Sequence, residues 1–202
     1  MLIKQSDYHR IYKVINSLLL AQNADPATAT MYFASFGAFI LKQHFKLQAV
    51  PKGGLAAYHL DGTRVLFADH REDGSVSGAG ENFHCWVEAE GFALDFMAPA
   101  FADAITTAPV ASRMFQKPLS AMAGSINDLS SSGDFFYRSE PEAMARRFAD
   151  WKAHGMIGDL AAIASQWFRP SPKKMQAALS VSDQSGAKRS IALTGHALVG
   201  SW

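Results

Sequence analysis

The sequence predicts an α+β domain in which a central helix is buried against an antiparallel β-sheet. Residues 31–41 are apolar nearly all round, which is typical of a helix at the centre of a domain. Two pairs of strand-like segments follow, and their two-residue turns, Asp61-Gly62 and Glu90-Gly91, are typical of antiparallel hairpins. With 202 residues and 49% hydrophobic content, the chain has the size and composition of one domain with one core.

Two helices are predicted ahead of the sheet. Ser6-Asp7 offers an N-cap, and apolar residues recur behind it at helical spacing, so a first amphipathic helix should cover about residues 6–21. Asp25-Pro26 is a second start signal, because aspartate caps a helix and proline suits its first position. The buried helix should therefore run from there to about residue 44 or 46.

The strands of the first hairpin are predicted at residues 55–60 and 63–68. Residues 69–82 are polar and rich in glycine, so we expect an exposed loop there. The second hairpin follows over residues 84–96, with an extended pattern on both sides of its turn. Together these segments predict a sheet of at least four antiparallel strands.

The rest of the chain is predicted to extend the same domain. The three parts are a core of about residues 6–99, a helical extension of about 100–170, and a terminal strand pair of about 177–194. Helical patterns over 140–154 and 157–168 support the extension. Residues 130–133, Ser-Ser-Ser-Gly, are the best candidate for an internal boundary, and the terminal pair would turn around residues 183–186.

Charge and composition exclude several classes of function. The 19 Lys and Arg residues nearly balance 18 Asp and Glu residues, and both signs are interspersed, which argues against a nucleic-acid-binding surface. No segment has the roughly 18 consecutive apolar residues that a membrane span needs, and the amino terminus lacks the layout of a signal peptide. The single cysteine, Cys85, rules out an internal disulfide, so we expect a cytoplasmic protein.

His84 and Asp95 form the candidate site, on the second hairpin. The turn at Glu90-Gly91 favours a register in which both residues lie on the same face of neighbouring strands. A carboxylate beside an imidazole orients the ring, as the third member of a catalytic triad does for the base. Cys85 follows His84 directly and should face the opposite side of the sheet, which disfavours it as the nucleophile.

The order of these features resembles a known superfamily. A buried helix, a strand pair, a loop and then His84-Cys85-Trp86-Val87 followed by Asp95 are similar to the core of the transglutaminase-like and papain-like cysteine peptidases, over about residues 24–99. The resemblance implies a papain-like or transglutaminase-like core, His84 as general base, Asp95 as orienter, and a nucleophilic cysteine at the start of the buried helix. It indicates an uncharacterised bacterial branch of that superfamily.

The nucleophile position falls on a threonine. The superfamily pattern of a cysteine, two variable residues and a small apolar pair best matches Thr30-Met31-Tyr32-Phe33-Ala34. A helix N-terminus and an imidazolium both stabilise a thiolate, but a threonine hydroxyl gains little from either. Thr30 would need full activation by a general base, and threonine nucleophiles usually rely on a free terminal amine.

Three interpretations of the site follow. In the first, the enzyme fold is degenerate and keeps His84 and Asp95 for structure or for binding a peptide or small molecule. In the second, the protein is an active hydrolase or acyltransferase that acts on amide or acyl bonds with Thr30 as nucleophile. In the third, the resemblance is superficial and His84 is an ordinary hydrogen-bonded core residue.

Two further roles concern oxyanion and metal binding. Gln22 and Asn23 precede Thr30, and papain-like relatives use an upstream glutamine to stabilise an oxyanion; the alternative is that both residues cap the first helix. A metal site built from His59, His84 and Asp95 is the alternative chemistry for these residues. Because no His-x-His or His-x-x-x-His spacing occurs, the sequence predicts neither a metal nor a cofactor.

The expected partner is a small-molecule or peptide ligand, with neither nucleic acid nor a membrane among the partners. Aromatic groups at residues 135–137 and 167–168 are typical of cores or of contacts between subunits. If these groups are exposed, a homo-oligomer is the expected assembly.

Overall fold

The computed structural model describes residues 1–106, 108–153, 155–182 and 188–202, which form a mixed α+β fold. The helices are α1 (Gln5–Ala21), α2 (Thr30–Ile40), α3 (Phe101–Ala104), α4 (Pro141–Ala153) and α5 (Ile157–Trp167). The strands are β1 (Val50–Leu60), β2 (Thr63–Phe67), β3 (Asp69–His70), β4 (Val76–Ser77), β5 (His84–Ala89), β6 (Phe92–Asp95), β7 (Phe115–Pro118), β8 (Phe135–Ser139), β9 (Ala178–Ser182) and β10 (Lys188–Ala192). The predicted α+β class is confirmed.

Six strands form one antiparallel sheet in the order β2-β1-β5-β6-β7, with β8 also paired to β1. Gly54 of β1 pairs with both His84 of β5 and Ser139 of β8, so β5 and β8 flank β1 on opposite sides. β2 also lies opposite β8, because both pair with the second half of β1. β2 and β5 therefore follow each other along one side of β1 and leave a gap between Phe67 and His84.

Residues 68–83 fill this gap, and Ser77 and Gly78 within them are buried. Gly78 lies against the backbone of β1, where a Cβ on residue 78 would be 2.0 Å from the nitrogen of Leu55. Only glycine permits so close an approach. The sequence prediction of an exposed loop is right for residues 71–75 and wrong for Ser77 and Gly78, which are buried.

Both predicted hairpins are present. All four turn residues have positive φ, 47° and 85° at Asp61 and Gly62 and 48° and 76° at Glu90 and Gly91, as type I′ turns require. β1 nevertheless begins at Val50, ahead of the predicted strand, because its first residues pair with β5. That partner is distant in sequence, so the local pattern gives no indication of it.

α2 begins later than its start signal. The carboxylate of Asp25 accepts the N–H of Ala27 and caps only a short 3-10 turn, Pro26–Thr28. Ala29, with a ψ of 37°, interrupts the helical geometry, and the buried helix starts at Thr30. The prediction that this helix begins at Asp25-Pro26 is wrong, because the cap is used by a separate turn.

The centre of α2 packs closely on the end of the second hairpin. Gly37 faces the ring of Phe96, and a Cβ on residue 37 would lie 2.3 Å from Cδ2 of that ring. The helix passes into a π-helical turn, Leu41–Phe45, near the predicted end. The contact at Gly37 sets the distance between α2 and the strands β5 and β6. Because Thr30 is the first residue of α2, the same contact helps to set the position of Thr30.

Gly37→Ala should destabilise the fold. The added methyl group forces the ring of Phe96 or the helix to move, and overpacking costs about 1–3 kcal/mol, more than the roughly 1 kcal/mol that alanine gains over glycine inside a helix. Urea unfolding would measure the difference. The control is Gly158→Ala in α5, where a Cβ meets nothing within 4 Å; equal midpoints for the two variants would contradict the close packing.

β7 and β8 correct the prediction of a helical extension over residues 100–170. Both strands belong to the main sheet, and the helices described in this region are the four-residue α3 and the longer α4 and α5. The stretch 130–133 leads directly into β8. The Asp134 carboxylate accepts the N–H groups of Ser130 and Ser131, and the N–H of Gly133 donates to the His59 carbonyl in β1. This stretch is therefore a turn held by hydrogen bonds to the sheet, and it is not a domain boundary.

β9 and β10 pair with each other within the range of the predicted terminal strand pair. The turn predicted around residues 183–186 lies outside the described residues, as does His154 at the end of the predicted helix 140–154. Phe135, Tyr137, Trp167 and Phe168 are buried, so they pack in the interior of this chain. Among the helices that the structure describes, none has the length and apolar character needed to cross a membrane.

Candidate active site

His84 and Asp95 lie together where the second hairpin meets the interior. His84 opens β5 and Asp95 ends β6, and the register puts both side chains on one face. The ring atom Nε2 of His84 is 2.6 Å from Oδ2 of Asp95. Their side chains are each only 1% exposed, so the pair is shielded from water.

Asp95 is surrounded by hydrogen-bond donors. The hydroxyl of Tyr58 donates to Oδ2 at 2.6 Å, and the backbone N–H of Met97 donates to Oδ1 at 3.0 Å. Burial and the nearby Asp95 carboxylate raise the pKa of Tyr58 well above its usual value, so the phenol keeps its proton at neutral pH. These donors compensate the burial of a carboxylate, which is otherwise costly.

The contact with Asp95 determines how His84 presents its other nitrogen. Since an ionised carboxylate only accepts hydrogen bonds, Nε2 of His84 carries a proton and donates a hydrogen bond to Asp95. Nδ1 then has a free lone pair, and it lies 3.3 Å from Oγ1 of Thr30. The order hydroxyl, imidazole and carboxylate is that of a triad.

Thr30 is also bound to the backbone of β5. The N–H of Cys85 donates to Oγ1 of Thr30 at 2.6 Å, and the carbonyl oxygen of Cys85 is 3.2 Å from the same atom. Continued pairing of β5 and β6 would place Phe96 opposite Cys85, but β6 ends at Asp95. The Thr30 hydroxyl takes the place of that missing ladder partner.

Thr30→Val should destabilise the protein, whereas Thr30→Ser should not. Valine keeps the shape but leaves the N–H of Cys85 without an acceptor, which costs about 1–3 kcal/mol for a buried group. Serine retains the hydroxyl and should stay within about 1 kcal/mol of the parent chain. Denaturant unfolding of the three proteins checks this difference. Equal stability of the valine and serine variants would show that the hydroxyl has no structural role.

A cavity of about 350 Å³ opens over Thr30 and His84. The ring of Phe67, at the end of β2, stacks on the imidazole with 4.3 Å between ring centres. Other walls come from Met97 and from Phe83, at the end of the gap-filling loop. The rim carries three carboxylates, those of Asp25, Glu81 and Asp103. A ligand in this cavity would therefore meet Thr30 and the ring edge of His84.

Cys85 lies away from this cavity. Its sulfur is 4.0 Å from the sulfur of Met144 in α4, and the side chain is buried. Burial raises the pKa of the Cys85 thiol far above its usual range, so the thiolate is scarce at neutral pH. Cys85 is a buried packing residue, as strand alternation predicts.

The structure does not bring Gln22 and Asn23 to His84. Gln22 is the C-cap of α1 and lines a separate cavity together with Leu160 and Arg189. Asn23 has a φ of 55°, in the left-handed region that often ends a helix. Both residues close α1, which is the alternative role predicted for them, and their position does not support the predicted oxyanion role.

His59 does not join His84 either. Its neighbour Tyr58 points to Asp95, and adjacent strand residues face opposite sides of the sheet. Across the described ranges, no group of three His, Cys, Asp or Glu side chains is arranged to hold a metal ion.

Sequence reasoning missed Tyr58 as a member of the site. Residues 54, 56 and 58 of β1 share the face of His84, because Gly54 pairs with His84. The pairing of β1 with β5 has no local signal, so only knowledge of that register could have identified Tyr58.

Comparison with known proteins gives a family and a fold but no activity. The family model described as "Protein of unknown function (DUF2026)" matches residues 4–202. A crystal structure described only as that of a genomics target is 68% identical, with a TM-score of 0.93, over 100% of this chain and 98% of that chain. No curated protein matches the sequence.

Proposed function

The chain belongs to DUF2026, a family of proteins of unknown function, and we propose that it is a papain-like or transglutaminase-like domain that binds an amide or acyl ligand without consuming it. In this proposal Thr30 stands at the position of the nucleophilic cysteine, with His84 and Asp95 at the positions of base and orienter. The ligand is a peptide or a small molecule, held in the cavity over Thr30 and His84. The balanced charge and the single buried thiol support a cytoplasmic location.

The observation that carries this proposal is the hydrogen bonding of Thr30. Its Oγ1 accepts the N–H of Cys85 at 2.6 Å, shorter than its 3.3 Å separation from Nδ1 of His84. A hydroxyl that is bound to the strand backbone is held in place and has less freedom to attack a carbonyl carbon. Its methyl group further restricts rotation about χ1. Thr30 and His84 then act as fixed polar contacts for a ligand carbonyl or amide.

A second candidate function is slow amide or ester hydrolysis, or acyl transfer, with Thr30 as nucleophile. The observation that favours it is the free lone pair of His84 Nδ1, which lies within 3.3 Å of the hydroxyl while Nε2 is bound to Asp95. In this reaction Nδ1 would take the hydroxyl proton as the oxygen attacks the carbonyl carbon, and the Asp95 carboxylate would stabilise the resulting imidazolium. The imidazolium would then return the proton to the leaving amine or alcohol as its bond to the carbonyl carbon breaks. Water or an acceptor amine would release the acyl group from Thr30 and restore its hydroxyl.

One pair of measurements separates the two functions. N-acetylglycinamide is titrated into the labelled protein and followed by NMR, and hydrolysis of p-nitrophenyl acetate is followed by absorbance. The binding function predicts shifts at the residues lining the cavity in the parent chain, their loss in His84→Ala, and equal hydrolysis by both proteins. Hydrolysis about 10²–10⁴-fold faster in the parent chain than in His84→Ala would instead support the enzyme.

The control for this experiment is His70→Ala, since His70 is exposed and lies outside the cavity lining. This variant should retain the properties of the parent chain in both measurements. If the amide shifts no residue of the cavity and His84→Ala changes neither measurement, both functions are wrong.

A further inference from the structure

Three buried tyrosines surround Asp95, and none of them contacts the cavity. Tyr58 donates to the carboxylate, Tyr137 lies 2.9 Å from the Tyr58 oxygen, and Tyr8 donates to the Asp95 carbonyl oxygen. They come from β1, β8 and α1, which converge on the end of β6. Phenylalanine would fill the same space in the core without a polar atom that needs a hydrogen-bond partner, so packing alone does not require tyrosine at these positions.

The direction of the hydrogen bonds follows from the number of protons. Tyr58 has one hydroxyl proton, and the carboxylate of Asp95 can only accept, so that proton points to Oδ2. Tyr137 must therefore donate to the oxygen of Tyr58. The result is a chain of donors from Tyr137 to Tyr58 to Asp95, all within the buried part of the sheet.

We propose that Tyr58 is a positioning residue for the site: together with Tyr137 it holds Oδ2 of Asp95 on Nε2 of His84, so that Nδ1 stays unprotonated and faces Thr30. Oδ2 receives both the Tyr58 hydroxyl and the His84 ring at 2.6 Å, while Oδ1 is held by Met97 N–H at 3.0 Å. Rotation of the carboxylate moves both oxygens and would break all three contacts. Tyr58 and Tyr137 thus fix the tautomer of His84 from the buried side of the site, and neither residue lines the cavity.

The role of the fixed His84 tautomer in ligand binding or catalysis rests on the proposed function, but a measurement of the tautomer does not. The ¹⁵N resonances of the His84 ring report the tautomer directly, without ligand or turnover. The parent chain should show the form protonated on Nε2. Tyr58→Phe should increase the share protonated on Nδ1 roughly 5- to 10-fold, the equivalent of one lost hydrogen bond.

Tyr8→Phe controls for packing, and two further changes test the chain of hydrogen-bond donors. Tyr8→Phe also removes a buried hydroxyl beside Asp95, but from the backbone carbonyl, and should leave the tautomer ratio unchanged. Tyr137→Phe keeps the Tyr58 hydroxyl and should shift the ratio in the same direction as Tyr58→Phe but less. Incorporation of 3-fluorotyrosine at position 58 retains the donor and should restore the parent ratio.

An unchanged tautomer ratio in folded Tyr58→Phe would overturn the inference, as would an equal shift in Tyr8→Phe. If Tyr58→Phe does not fold, the Tyr137→Phe result decides, because that variant leaves the carboxylate contact in place; a ratio identical to the parent would again overturn it. Failure of the proposed function appears separately, as absent binding and hydrolysis with the tautomer still fixed.

Discussion

A Thr30→Cys variant is expected to react with iodoacetamide at neutral pH on the order of 100-fold faster than the parent chain does through its buried Cys85 thiol. The new thiol would sit at the first residue of α2, about 3.3 Å from the imidazole nitrogen that carries a lone pair. The helix N-terminus, the Cys85 N–H and a protonated His84 would all stabilise the thiolate. Mass spectrometry of the alkylated protein would identify the modified residue.

This result depends on His84 and on the position of the new thiol. The comparison between introduced thiols is made in a Cys85→Ala background, so that only the new thiol reacts, while the parent chain with Cys85 gives the reference rate for a buried thiol. Thr28→Cys is the matched control, because residue 28 lines the same cavity but precedes α2 in a 3-10 turn; it should react like an ordinary exposed thiol. Adding His84→Ala should remove most of the gain at residue 30. Equal rates at residues 28 and 30 would show that residue 30 is not a nucleophile position.

Asp95→Ala is expected to destabilise the protein by about 3 kcal/mol or more, because several buried hydrogen-bond donors lose their acceptor at about 1–3 kcal/mol each. The change leaves three buried donors without an acceptor, namely the Tyr58 hydroxyl, the His84 Nε2–H and the Met97 N–H. Each unsatisfied donor carries its own desolvation cost. Urea unfolding at pH 7, followed by tryptophan fluorescence, measures the loss.

The chain contains a matched control for this substitution. Asp103 also lies 2.6 Å from a histidine, His196, but the two side chains are 56% and 39% exposed. Asp103→Ala should therefore cost no more than about 1 kcal/mol, as is usual for exposed pairs. Similar losses for Asp95→Ala and Asp103→Ala would mean that burial adds nothing to the His84 pair.

The parts of the fold that could be predicted are those set by local chemistry. Asp61-Gly62 and Glu90-Gly91 define their hairpins because few other residue pairs adopt two consecutive positive φ angles. The second turn also sets the register that places His84 beside Asp95. The start of α2 could not be predicted in the same way. The Asp25 carboxylate caps a short 3-10 turn with the same kind of hydrogen bond that it would use to cap a long helix, so the sequence does not distinguish the two.

The parts that could not be predicted depend on contacts between distant segments. Tyr58 reaches Asp95 because β1 pairs with β5. β8 joins the sheet because it pairs with the side of β1 that β2 and β5 leave open. β8 is five residues long and stands among turns, so its pattern is too short to compete with the helical signals around it. The same limit explains why the sequence does not point to Tyr58, whereas the local hairpin pattern is enough to place His84 beside Asp95.

The end-to-end arrangement of β2 and β5 along β1 builds the cavity from two kinds of segment. His84, Asp95 and Tyr58 stand on paired strands, where any shift would break the ladder. The wall of the cavity near Phe83 belongs to the connection between those strands, which is anchored at Gly78 and exposed over residues 71–75. Insertions or deletions in that exposed part can reshape the entrance without moving the ladder. Under the proposed function, such changes in loop length alter ligand preference while the polar centre stays constant.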